Sequence, residues 1–174
     1  GGPGVQTQGG AITLLTTGAT SDLVLDAAVN SRGGNIAITV GDDFVQNATA
    51  PVTSGGGSIT ATITGDADLA AQVASAGGNI TVSTGGNLTQ LSTAPILSGG
   101  GTLLETVGGN ALHQGAVTTT GGNATFDVTG NFTQTTTAPI STGGGNLLAM
   151  VDGNMSLAAA TSTAGGSFTA NIGG

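Results

Sequence analysis

The chain has no Cys, no Trp, no Tyr and no Lys, and only one Arg (Arg32), one His (His113) and one Glu (Glu105). Without cysteine there is neither a disulfide framework nor a thiolate metal site. A single cationic side chain cannot neutralise a run of phosphates, which excludes nucleic acid as a partner. No apolar run approaches the roughly 18 residues of a membrane-spanning helix. Aromatics at 2% cannot supply the girdles of an outer-membrane barrel. The formal net charge is -8, yet charged residues make up only 6% against 37% hydrophobic, which is not the composition of charge-rich disorder.

What the chain does have is 34 Gly and 30 Thr among 174 residues, and they are periodic. Gly-Gly-Asn-Ile at 33 returns at 77, as Gly-Gly-Asn-Ala at 121 and as Gly-Gly-Ser-Phe at 165, a constant spacing of 44. Thr-Ala-Pro at 49, 93 and 137 and a glycine triplet at 55, 99 and 143 keep the same period. Each 44-residue unit divides into two similar halves, one longer and carrying the Ala-Pro step, one shorter and lacking it. Helical periodicity is absent, and this glycine density would make helices costly.

Within the halves the pattern has period two. Ile36-Ala37-Ile38-Thr39-Val40, Ile80-Thr81-Val82-Ser83-Thr84 and Ala124-Thr125-Phe126-Asp127-Val128 align, with first, third and fifth positions mostly apolar and the others mostly polar. A second stretch gives the column Phe44, Ala67, Leu88, Ala111, Phe132, Met155, and a third gives Val52, Val73, Ile96, Val117, Ile140, Thr161. Three inward faces per coil predict an all-β, right-handed parallel β-helix of triangular section. The predicted coil has about 22 residues, within a 44-residue two-coil repeat. The prediction covers 1–174 as a single solenoid segment. Gly1 at the start and an incomplete last coil lead us to expect a fragment or block of a longer array. Its partners would be copies of itself or adjoining repeats stacked end to end, since each coil buries its face only against its neighbours.

Corners are expected where Gly precedes Asn or Asp. Asn87, Asn110, Asn131 and Asn154 should stack and exchange hydrogen bonds, and the glycines there suit left-handed or tight-turn backbone. Pro51, Pro95 and Pro139 should stack at one bend, where a missing N–H costs little.

The run Gly-Gly-Asn-Ile-Thr-Val-Ser-Thr-Gly-Gly-Asn-Leu-Thr-Gln (77–90), echoed by Gly-Asn-Phe-Thr-Gln (130–134), resembles the repeats of bacterial filamentous haemagglutinin-like exoproteins and related giant β-helical surface adhesins. The resemblance extends over essentially the whole chain. It implies a long right-handed β-helix, secretion across an outer membrane, a place outside the cell or on the bacterial surface, and a role in adhesion or biofilm. The amino-terminal secretion domain of that family is not seen in this sequence.

Few residues offer chemistry. His113 falls in the inward column Gln46, Leu69, Gln90, His113, Gln134, Leu157, and Glu105 faces inward in the same coil, so the two are expected to form an internal contact. The alternatives are a catalytic acid–base pair, although a packed interior admits no substrate, and a local register shift that exposes one of the two. Asp22, Asp43 and Asp66 share one corner column, with Asp42 and Asp68 beside them. Ca²⁺ would suit oxygens at that spacing, while a solvated acidic edge needs no ion. Outward Leu104, Leu148 and Met150 could meet another fibre laterally. No cofactor and no catalytic residue is expected. The leading expectation is a non-catalytic structural or adhesive fibre. The alternatives are a ligand- or ice-binding solenoid module, suggested by Thr60/Thr62 and Thr81/Ser83, and a β-helix enzyme acting on polysaccharides.

Overall fold

The structure is a computed structural model, and it describes residues 4–174. Among the described residues there are 23 strands, all parallel to their neighbours in three sheets, and no helix. One sheet stacks eight strands of mostly five residues, such as Ile80–Thr84, the second seven strands of three residues, such as Leu88–Gln90, and the third eight strands of two residues, such as Ile96–Leu97. The chain visits the sheets in fixed rotation. It makes a three-sided β-solenoid of about seven turns.

Register gives the coil length directly. Ile36 pairs with Ile59, Ile59 with Ile80, Ile80 with Leu103 and Leu103 with Ala124, so steps of 23 and 21 residues alternate. The difference lies in one connection. Five residues, Leu91–Pro95, join Gln90 to Ile96, whereas three, Gln114–Ala116, join His113 to Val117. The step from Ile12 to Ile36 is longer, 24 residues, because Ala19-Thr20-Ser21 is inserted.

Alternation explains the burial. Ile80, Val82 and Thr84 of one long strand point inward and are buried, and Leu103, Glu105 and Val107 lie directly above them. Each enclosed Leu, Ile or Phe contributes about 1.5–3 kcal/mol, and no coil has a core of its own. The N–H and C=O groups of each strand are used by the coils above and below.

Two corners depart from expectation. Left-handed backbone occurs before the long strands, in a Ser/Thr-x-Gly-Gly turn, where x is Gly55 (φ 67°), Ala76 (φ 55°), Gly99 (φ 62°) or Thr120 (φ 54°). The Gly-Asn corners are not among the positive-φ positions. Glycine is needed there for closeness instead, because a Cβ on Gly109 would lie 2.6 Å from Asn87 Oδ1 and 2.9 Å from the Gly86 carbonyl carbon. The prolines do not stack on one another either. Pro51 and Pro95 stand two coils apart with Gln72 between them, because only the longer connection has room for Ala-Pro, and their carbonyls accept from Val29 and Val73 N–H.

Candidate functional site

The interior polar residues form one column. Gln46, Gln90 and Gln134, 44 residues apart, end the inward face of three-residue strands and are fully enclosed. Each turns its amide nitrogen to the alanine carbonyl four residues on: Ala50 at 2.8 Å, Ala94 at 2.6 Å and Ala138 at 2.6 Å. That fixes the amide, so each Oε1 looks toward the next coil. Gln46 Oε1 meets Leu69 there and has no partner. Gln90 Oε1 lies 2.7 Å from His113 Nδ1, and Gln134 Oε1 accepts from Ala159 N–H at 3.3 Å.

His113 and Glu105 are both 0% exposed, with Nε2 and Oε2 3.1 Å apart. The oxygen lies off the N–H line, so neither Glu105 oxygen has an aligned hydrogen bond. Around them the core is apolar. Val82 and Phe126 flank Glu105 in the long sheet, and the His113 ring packs at 5.4 Å from Phe126 and 5.1 Å from Phe132. The pair is thus the contact expected from the sequence, enclosed on every side.

The corner column Asp22, Asp43, Asp66, Asn87, Asn110, Asn131, Asn154 is continuous. Asp22 Oδ1 accepts from Asp43 N–H at 3.2 Å, Asp43 from Asp66 N–H at 2.7 Å and Asp66 from Asn87 N–H at 2.6 Å. Asn87, Asn110 and Asn131 do the same for the residue above, at 2.9, 2.9 and 2.8 Å. Asparagine adds a side-chain rung, Asn131 Nδ2 donating to Asn110 Oδ1 at 3.0 Å, which aspartate has no hydrogen to make. The three carboxylates gathered within 4.8 Å are Asp22, Asp42 and Asp43, with Asp42 in the place expected for Asp66. Partial desolvation, then the like charges of Asp43, Asp22 and Asp66, raise the Asp42 carboxyl above its ordinary range. The oxygens at the corner already accept backbone hydrogens, which is a structural use for them.

The outward apolar residues make no continuous patch. Leu104 is 39% exposed, while Leu148 and Met150 are half-buried. Thr125 stands between Leu104 and Leu148, and Asp127 pairs with Met150.

One set of residues escaped the sequence reading. Ser31, Ser54, Ser75, Ser98, Thr119 and Thr142 are buried hydroxyls, one per coil, at the start of the Ser/Thr-x-Gly-Gly turn. Each hydroxyl faces the carbonyl of the glycine three residues on, and also a carbonyl of the next coil, Ser54 to Ser75 at 3.1 Å and Ser75 to Ser98 at 2.9 Å. The signal was present as a hydroxyl residue always three places before the second turn glycine. It was hidden because threonine and serine are common throughout.

No family model, curated protein or solved structure matches the chain. Among the described residues no helix is long and apolar enough to cross a membrane.

Proposed function

We propose that this chain is a non-catalytic structural segment of an adhesive fibre, acting outside the cell or at a bacterial surface, and built by stacking coils on coils. The observation that carries the reading is where the polar groups point. Backbone ladders, buried hydroxyls, corner Asn and Asp all bond the next coil along the axis. The imidazole and the glutamate that could serve acid–base chemistry are enclosed. The first and last described coils present inward-column apolar side chains, with Val5 46% and Phe168 45% exposed, and another coil of the same kind would cover either face. The surface location is supported by the resemblance of 77–90 and 130–134 to adhesin repeats and by the acidic balance, which disfavours sticking to anionic surfaces.

Electron microscopy of the purified chain tests this. The expected result is filaments far longer than one chain, with an axial repeat of about 4.8 Å. Discrete particles about 40 Å tall, on the same spacing, would overturn the stacking reading. They would move weight to a binding module on the threonine-rich face, where Thr60, Thr62, Thr81 and Ser83 are followed by Leu104 and Asp127.

A further inference from the structure

Packing alone does not account for an ionisable pair in the middle of an apolar interior. Ala61 and Leu69 stand 44 residues before Glu105 and His113, and Ala149 and Leu157 stand 44 after them. Both neighbouring repeats therefore fold with an Ala and a Leu at these two positions, and the polar residues enter as a couple. We propose that Glu105 and His113 hold one proton between them in the closed interior, and that the coil carrying them is the pH-sensitive joint of the solenoid.

The geometry counts the proton. Gln90 Nε2 donates to the carbonyls of Ala94 at 2.6 Å and Ala116 at 3.2 Å, so its Oε1 is an acceptor. His113 Nδ1, at 2.7 Å from that oxygen, must carry a hydrogen. The other ring nitrogen then faces Glu105 Oε2 at 3.1 Å. Two bare acceptors at that distance in an apolar core would repel, so the pair keeps one further hydrogen, on the carboxyl, whose O–H can turn to Nε2, or on Nε2, whose N–H lies off the line to Oε2. In either form the pair is neutral with one proton.

A second proton would leave a positive charge in a dry interior, and loss of the shared one would leave a negative charge. Among the described residues no other ionisable group faces the pair to offset either. The coil below contributes Val82 and Gln90, the coil above Phe126, Phe132 and Gln134, and all are uncharged. In the unfolded chain the two groups are independent, the carboxyl ionising near pH 4.3 and the imidazole near pH 6.5. Below about 4.3 the unfolded pair binds two protons against one when folded, so stability falls on acidification. Above about 6.5 it binds none against one, so stability falls on alkalinisation. Between these values the counts match and the contribution is level.

The test is urea unfolding of the whole chain from about pH 3.5 to about pH 9, bracketing both free values, for the parent and for E105A/H113L. The double variant places in this coil the residues that the corresponding coils of the adjoining repeats already carry. The exposed aspartates titrate alike in both chains, so their contribution drops out of the ratio of unfolding constants. The expected ratio is level in the middle and changes about tenfold per pH unit on each side, against the parent. A ratio independent of pH, or one with an acid limb alone, would overturn the shared proton. Should the double variant fail to fold, the single imidazole allows nitrogen NMR on the parent without assignment. We expect Nδ1 to carry its hydrogen, held by Gln90 Oε1, while the chain is folded. A bare Nδ1 refutes the proposal.

Discussion

Two stretches of this solenoid, 44 residues apart, share a backbone and differ inside. In the first, Ala61 and Leu69 leave a cavity of about 20 Å³ lined only by apolar side chains, Ile38, Phe44, Val52, Ile59 and Val82 among them. In the second, Glu105 and His113 occupy the corresponding positions. The glutamine beneath responds in kind. Gln46 Oε1 has no partner under Leu69, whereas Gln90 Oε1 meets His113. The apolar version leaves a void and one unsatisfied oxygen. The polar version sets a longer side chain, Glu105, where Ala61 stands, but puts an ionisable couple in a dry core. The backbone ladder is the same in both, which shows that the coil is set by its corners and its alternation, and that the inner column tolerates either solution.

Breaking the couple from one side should have the largest effect. H113L leaves the Glu105 carboxyl enclosed without its partner and should cost about 3 kcal/mol at neutral pH. The loss shrinks as acid neutralises the carboxyl, and urea midpoints at two pH values would show it. E105A removes the group that is hardest to bury and leaves a neutral imidazole whose Nε2 faces no polar group. The expected loss is about 1–2 kcal/mol, and the same unfolding measurement ranks the two. Transplanting the couple sharpens the comparison. A61E/L69H should cost at least about 1 kcal/mol less than the sum of A61E and L69H measured singly, because the second residue satisfies the first. An additive cycle would show that the two positions do not communicate.

The smallest effect belongs at the acidic corner. Desolvation and the neighbouring aspartates raise Asp42 above its ordinary value. The unfolded carboxyl ionises more readily than the folded one, so ionisation of Asp42 opposes folding above the unfolded value. D42N should therefore stabilise slightly at neutral pH. The gain should fade below about pH 4, where the unfolded carboxyl also becomes neutral, and it should diminish in salt. Thermal melts at two salt concentrations would detect it.

The coil length, the three columns and the meeting of Glu105 with His113 were legible because each depends on period two and on a repeat that never drifts. Only the Ala19-Thr20-Ser21 insertion interrupts the spacing, and it shows as a 24-residue step in the register. Other features were not legible, for physical reasons. Which corner takes left-handed backbone depends on how the chain enters the long strand, and glycine marks both corners alike. Whether Pro51 and Pro95 touch depends on the coil between them. The hydroxyl column at Ser31, Ser54 and Ser75 lies among so many other serines and threonines that composition concealed it. Asp42 joined the acidic group in place of Asp66 because proximity at a corner is set by turn geometry and not by column membership.

The alternation of 23 and 21 residues also has a mechanical consequence. Tension applied to the two ends of the chain peels one coil from the stack at a time, since each is held only by its neighbour. Every release frees the contour of a whole coil, at about 3.3–3.6 Å per residue. Extension should then proceed as a staircase of unequal treads, the longer from coils with the Ala-Pro connection and the shorter from those without it.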